Sequence, residues 1–344
     1  MRRPRIKLKE RAFYHCMSRS VEDRVLFPNR EGSSVEGEMF LVLMGKLASF
    51  TGIRILTYAL MSNHYHIECE VPEALELCDE DLLARIEALY GAATREKIAR
   101  KLNDRTHEGG VAQQAQRIRE GFLRRMFDVS EFNKELKGRF AQWYNKRHGR
   151  KGTLWSERFK SLVLGEGQAV AAVAAYIDLN PVRALLCEDP KDYRYCGYAQ
   201  ALASSGPQRW AGIGIALGLG PDTSWQEVRR AYRKFLFVRG LRPVDGSRAG
   251  FDEQTVERVV EKEKGELSVP QLLRAKIQYF SAGVIVGAKA FVEEVFERYS
   301  PTLRYKRQPR YPYRIEGIGA MELWAFRRGV SSTQPLTPAH STQS

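Results

Sequence analysis

The sequence predicts an α+β protein: a ferredoxin-like split βαβ domain, an antiparallel sheet with helices, carrying a helical insertion and followed by a mainly helical C-terminal region. Three observations support this. Strand-like and helix-like segments follow one another as strand, helix, strand, strand, helix, strand, helix once residues 72 to about 127 are set aside. The first six match a split βαβ unit, in which one sheet face is packed by two helices. The 344 residues, 43% of them hydrophobic, suffice for one large domain or two ordinary ones.

Taken in order, a basic arm (Arg2, Arg3, Arg5, Lys7, Lys9, Arg11) leads into a short strand from Ala12 to Ser18. A polar turn with Pro28-Asn29 and Gly32 follows. Met39, Leu43, Leu47 and Phe50 recur at helical spacing over 35–50, and Gly52 closes that helix. Two strands come next, Ile53 to Met61 and His64 to Val71, joined at Ser62-Asn63. The insertion opens with an acidic patch (Glu73, Glu76, Asp79, Glu80, Asp81) and continues as helices.

Ser130 opens a further helix with Phe132, Leu136, Phe140, Trp143 and Tyr144 on one side, ending in the basic loop 145–152. Thr153 to Leu164 reads as a strand broken by Gly165-Glu166-Gly167. An alanine-rich helix runs from Gln168 to Leu179, with Asn180-Pro181 as its end or a kink. This places a first domain at 1–203, a helical basic region at 204–330 and a disordered tail at 331–344. Ser204 to Pro207 and the Gly-rich 212–220 read as linker, and Trp225 to Val238 as an amphipathic basic helix. Val269 to Ile277 and Ala288 to Tyr299, broken at Ser281-Ala282-Gly283, fit a helix-turn-helix or an ordinary helical hairpin.

The net charge of +14 favours a polyanionic partner, with nucleic acid leading. No apolar run is long enough to span a bilayer and no signal-peptide core follows Met1, so the expected compartment is the cytoplasm. Five cysteines without a Cys-x-x-Cys pair point to reduced, mostly buried thiols.

His64 and His66 stand one residue apart in a strand and therefore project from the same face. Such a pair is half of a metal site, or two solvated histidines on an exposed face. Glu68 shares that face, as a further ligand or a solvated carboxylate. Tyr176 and Asn180 lie four apart and share one face if helical, although Pro181 disfavours the α conformation at Asn180.

His64-x-His66 after Met61-Ser62-Asn63, Tyr176 and Asn180 within Tyr-Ile-x-Leu-Asn-Pro-Val-Arg, and Trp155-Ser-Glu-Arg-Phe-Lys-Ser161 together resemble the HUH single-strand transposases with one catalytic tyrosine. Within them the motifs are most similar to the REP-associated tyrosine transposase group, over roughly residues 10 to 200. The resemblance implies a divalent cation, Mg or Mn, held by His64, His66 and Asn180. It implies Tyr176 as nucleophile toward single-stranded or hairpin DNA, leaving a 5'-phosphotyrosine and a free 3'-hydroxyl. Many relatives carry glutamine where this chain has Asn180.

Expected DNA contacts are Arg158 and Lys160 on the last strand, Lys146, Arg147, Arg150 and Lys151 in the basic loop, and Arg19 and Arg183. The loop carries no compensating carboxylate of its own. Trp155, Phe159 and Tyr144 are candidates for stacking on unpaired bases, or core aromatics. The alternatives are an HUH nickase of replication or conjugation and a non-catalytic DNA-binding protein that retains the fold. Monomer and homodimer stay open.

Overall fold

The computed structural model describes residues 8, 10–28, 34–103, 110–165, 167–204, 207–220, 222–243, 249–267, 283–287, 313–315 and 323–327. Strands β1 (Ala12–Arg19), β2 (Arg54–Leu60), β3 (His64–Val71) and β4 (Lys160–Leu164) form an antiparallel sheet in the order β2-β3-β1-β4. Helix α1 (Val35–Thr51) crosses from β1 to β2, and β3 lies between those two strands, which is the split βαβ arrangement. Ser34 caps α1 by accepting from the Gly37 N–H, and Gly52 ends it in the left-handed region at φ 78°.

Period-two alternation divides β3. Tyr65 contacts Phe40 of α1 and donates from its hydroxyl to Asn133 of α5 (Val129–Arg147), so Tyr65, Ile67, Cys69 and Val71 face the α1/α5 layer. His64, His66, Glu68 and Glu70 face the other way. The α1/α5 layer is aromatic: Phe40 and Phe140 contact each other, and each contacts both Phe27 and Trp155. Helix α5 begins at Val129 rather than Ser130, because the Asp128 carboxylate accepts from the N–H groups of Ser130 and Glu131. The insertion holds α2 (Asp79–Tyr90), α3 (Ala92–Asn103) and α4 (Gly110–Leu123).

The strand expected from Thr153 is shorter, starting at Lys160. Residues 153–159 are irregular apart from an isolated bridge between Ser20 and Trp155. The alanine-rich segment forms α6 (Gln168–Asp178), followed by a kink at Leu179 and a short turn α7 (Asn180–Arg183). Ala174 and Ala175 are fully buried, so α6 lies close on β2 and β3.

The core continues past residue 203. Helices α8 (Gly197–Ala203), α9 (Pro207–Leu217) and α10 (Trp225–Arg239) bring Ala199, Ile213, Val228, Tyr232 and Leu236 into the same apolar cluster as the sheet. Part of the expected glycine linker is therefore helix: a Cβ at Gly212 would stand 3.0 Å from the Ile55 carbonyl, so glycine lets α9 approach β2. After α11 (Glu253–Glu257), strands β5 (Gly283–Gly287), β6 (Tyr313–Ile315) and β7 (Leu323–Arg327) form a second sheet in the order β5-β7-β6. Gly283 thus opens a strand where a helix break was expected. The expected helices at 269–277 and 288–299, most of the basic arm and the tail after 331 lie outside the described residues. Among the described residues no helix is long and apolar enough to cross a membrane.

Candidate active site

The face of β3 turned away from α1 carries a cluster that includes a third imidazole, from β1. The register pairs Met17 with His66 and His15 with Glu68, which makes His15 a diagonal neighbour of His66 on one face. The rings of His15 and His66 lie near one plane, inclined by 24° with centroids 5.1 Å apart, and meet end to end, His15 Nε2 lying 2.9 Å from His66 Nδ1. His64 meets His66 edge-on at 5.1 Å, and its Nδ1 lies 2.7 Å from Asn63 Oδ1. With both Nδ1 atoms engaged, Nε2 is the free ligating position on each of the two strand histidines.

Helix α6 brings Tyr176 to this cluster. Its ring centroid lies 5.9 Å from His66 and 6.2 Å from His15, and the side chain is 43% exposed. Pro181 does not displace Asn180, because proline in the first turn of α7 removes no needed hydrogen bond. The Ala184 N–H donates to the Asn180 carbonyl at 2.9 Å. The Asn180 side-chain amide donates back to the carbonyls of Tyr176 (3.0 Å) and Ile177 (3.3 Å), so Oδ1 is its atom suited to a cation. Arg183 lies over the Tyr176 ring at 5.1 Å. Among the described residues no three His, Cys, Asp or Glu side chains are grouped to hold a metal.

Glu68 is neither a solvated carboxylate nor near solvent: it is completely buried, and neither carboxylate oxygen has a hydrogen-bond partner among the described residues. Burial, then the nearby Asp178, pushes its pKa up to about 9. Asp178, on the buried face of α6, is raised by burial to about 6, with its hydrogen bonds opposing. Burial holds His15 and His64 down at about 4 and His66 at about 3. Arg19 adds to the shift at His64, and His15, His64 and Arg19 add to it at His66. Neutral imidazoles are what a cation needs.

These shifts oppose one another across the pH scale. The raised pKa of Glu68 makes its stability contribution complete below 4.5 and lost as pH rises toward 9, and Asp178 acts alike between 3.8 and about 6. The depressed histidines contribute above 6.5 and lose it as pH falls toward 4. Metal-free protein is therefore expected to be most stable near pH 6.5. Urea unfolding in chelator should show a decline above that pH of about 1.4 kcal/mol per unit, and Glu68→Gln should flatten it.

The basic residues divide. Arg158 and Lys160 are exposed, Lys160 standing opposite Met17 on β4 and pairing with Glu157 at 2.8 Å. Arg19 pairs with Asp23 at 3.0 Å. The loop after α5 is tied to the His64 end of the sheet by Val21 N–H to Leu154 O and Ser156 N–H to Arg19 O. Lys146 and Lys151 are exposed there, and Arg150 donates to Asn145 Oδ1. The loop does have a compensating carboxylate, from α1: Glu36 meets Arg147 at 3.5 Å and His148 at 3.1 Å. The stacking role expected of Trp155 is corrected. Its ring is buried against Phe40, Tyr65 and Phe140, and its indole N–H donates to the Lys137 carbonyl. Phe159 and Tyr144 are buried as well.

No protein-family model matches the chain, and no curated protein matches it. A similar solved structure is that of a REP-associated tyrosine transposase bound to a REP hairpin, at 14% sequence identity and a TM-score of 0.38. The match covers 61% of this chain and 91% of that one.

Proposed function

We propose that the chain is a transposase-type, metal-dependent single-strand DNA endonuclease and strand transferase with Tyr176 as nucleophile. The observation that carries this reading is the placement of a half-exposed tyrosine about 6 Å from His66 and His15, on the strand face that also carries His64. A core aromatic would be turned inward, whereas here Asp178 takes the buried face of α6 and the phenol is left at the imidazoles.

The donor chemistry fits a divalent cation, Mg or Mn, with His64 and His66 offering Nε2 and Asn180 offering Oδ1. When bound, the cation withdraws charge from the scissile phosphate. Tyr176 attacks phosphorus through its phenolic oxygen and loses its proton to solvent. The P–O3' bond breaks, releasing a 3'-hydroxyl and leaving a 5'-phosphotyrosine. A second 3'-hydroxyl reverses the step and joins strands. Arg19, Arg158, Lys160, Lys146, Lys151 and Arg183 supply cationic charge for the DNA phosphates. The motif resemblance points to imperfect-palindrome hairpins as substrate.

The test is incubation with end-labelled single-stranded hairpin DNA and Mn, read as a covalent adduct on a denaturing gel. An adduct in the parent protein that is lost in His64→Ala/His66→Ala is the expected result. DNA binding without any adduct would leave a non-catalytic DNA-binding protein instead.

A further inference from the structure

Both strand histidines are held at Nδ1 by groups from β1 or the adjoining turns. We propose that His15 and the Asn63–Asp23 pair are positioning residues that fix the tautomer and ring orientation of His66 and His64, leaving each Nε2 for the cation. The inference rests on the metal-dependent reading of the site.

The His15–His66 contact involves two nitrogens 2.9 Å apart, and only one can carry the hydrogen. With the hydrogen on His66 Nδ1, His15 Nε2 accepts it and His66 Nε2 keeps its lone pair. The reverse arrangement moves a hydrogen to His66 Nε2 and removes a ligand, so cation binding selects the first. The two rings meet end to end with planes only 24° apart, so the contact lies close to both ring planes, as an N–H···N bond requires, and fixes the orientation of His66.

At His64 the arrangement is a relay. Asp23 Oδ1 accepts from Arg19 at 3.0 Å and from Asn63 Nδ2 at 3.2 Å. The amide nitrogen therefore faces Asp23 and its oxygen faces His64, which donates Nδ1–H to it at 2.7 Å. The turn that presents Asp23 holds Glu22 and Asp23 in the left-handed region, at φ 56° and 50°. Two successive non-glycine residues there carry backbone strain that the surrounding contacts must hold. Partners of this kind commonly change metal affinity 10- to 100-fold.

Two measurements on the full chain test this. Long-range proton–nitrogen NMR of the imidazoles in metal-free protein is expected to show Nδ1–H at both His64 and His66, with the fixed His64 tautomer lost in Asn63→Leu. Calorimetric titration with Mn is expected to show affinity weaker by about 10-fold or more in His15→Phe and Asn63→Leu, with His15→Gln, which can still accept, recovering most of it. Adduct formation by His15→Phe should rise toward the parent level at saturating Mn. Parent-like tautomers and Mn affinity in both variants would overturn the positioning roles while leaving the metal reading intact. A parent protein that binds no Mn would overturn both. Unchanged near-ultraviolet circular dichroism establishes that the variants fold.

Discussion

Tyr176→Phe is expected to lower covalent adduct formation on single-stranded hairpin DNA by about 10⁴-fold or more, to background, because the variant lacks the only oxygen proposed to attack phosphorus. Among the described residues no other tyrosine can substitute from the same face. Tyr14, Tyr58, Tyr65, Tyr195, Tyr198 and Tyr232 are fully buried, and only Tyr176 has its ring against His15 and His66. Removing one hydroxyl from a half-exposed ring opens no cavity, so unfolding free energy should stay within about 0.5 kcal/mol of the parent. Hairpin binding, measured by gel shift, is expected to persist, since the proposal gives the hold on the strand to the cationic side chains and not to the phenol. An adduct that survives in Tyr176→Phe would move the nucleophile elsewhere and sink the assignment.

Asp178→Ala is expected to destabilise the protein by about 3–5 kcal/mol. This carboxylate is completely buried and is the acceptor on which three parts of the chain converge. Thr57 of β2 donates to it at 2.7 Å, Tyr232 of α10 at 2.5 Å, the Cys196 thiol at 3.1 Å and the Tyr198 N–H at 3.3 Å. Alanine would leave those donors unpaired in an apolar interior, where each loses its partner without gaining water. Tyr232→Phe removes one of the four and should cost about 2 kcal/mol. Since Asp178 sits two residues from Tyr176, both variants should also lower adduct formation at a temperature where they remain folded. A loss in Asp178→Ala below about 1 kcal/mol by urea unfolding would show that the network is not stabilising.

The α+β class and the succession of strands and helices were legible from the sequence because strands and helices carry different local periodicities, near two and near 3.6. The shared face of His64 and His66 was legible for the same reason, since strand alternation fixes it within three residues, whereas Tyr176 was singled out by the motif resemblance and not by any local pattern. His15 was not, although it lies in the first predicted strand. Its partnership with His66 depends on the β1–β3 register across 51 positions of chain, which no local pattern encodes. Asp178 lay unremarked between Ile177 and Leu179, since an acid next to a helix end ordinarily faces water. Its burial comes from β2, the start of α8 and α10 closing around it, through Thr57, Cys196, Tyr198 and Tyr232. Trp155 stood among basic residues and suggested a stacking surface. Its burial follows from α1 and α5 together, elements more than 70 residues apart in sequence. At Asn180 the rule for residues before proline was outweighed by position: the break at Leu179 makes Pro181 part of a new first turn.

The dependence of α6 on Tyr232 sets a schedule for synthesis. On the ribosome, β1 to β4 and α6 emerge well before α10, so a nascent chain shorter than about residue 240 lacks the anchor that Tyr232 gives Asp178. On the reading proposed above, strand cleavage is expected to wait until translation has passed the point where that last anchor docks.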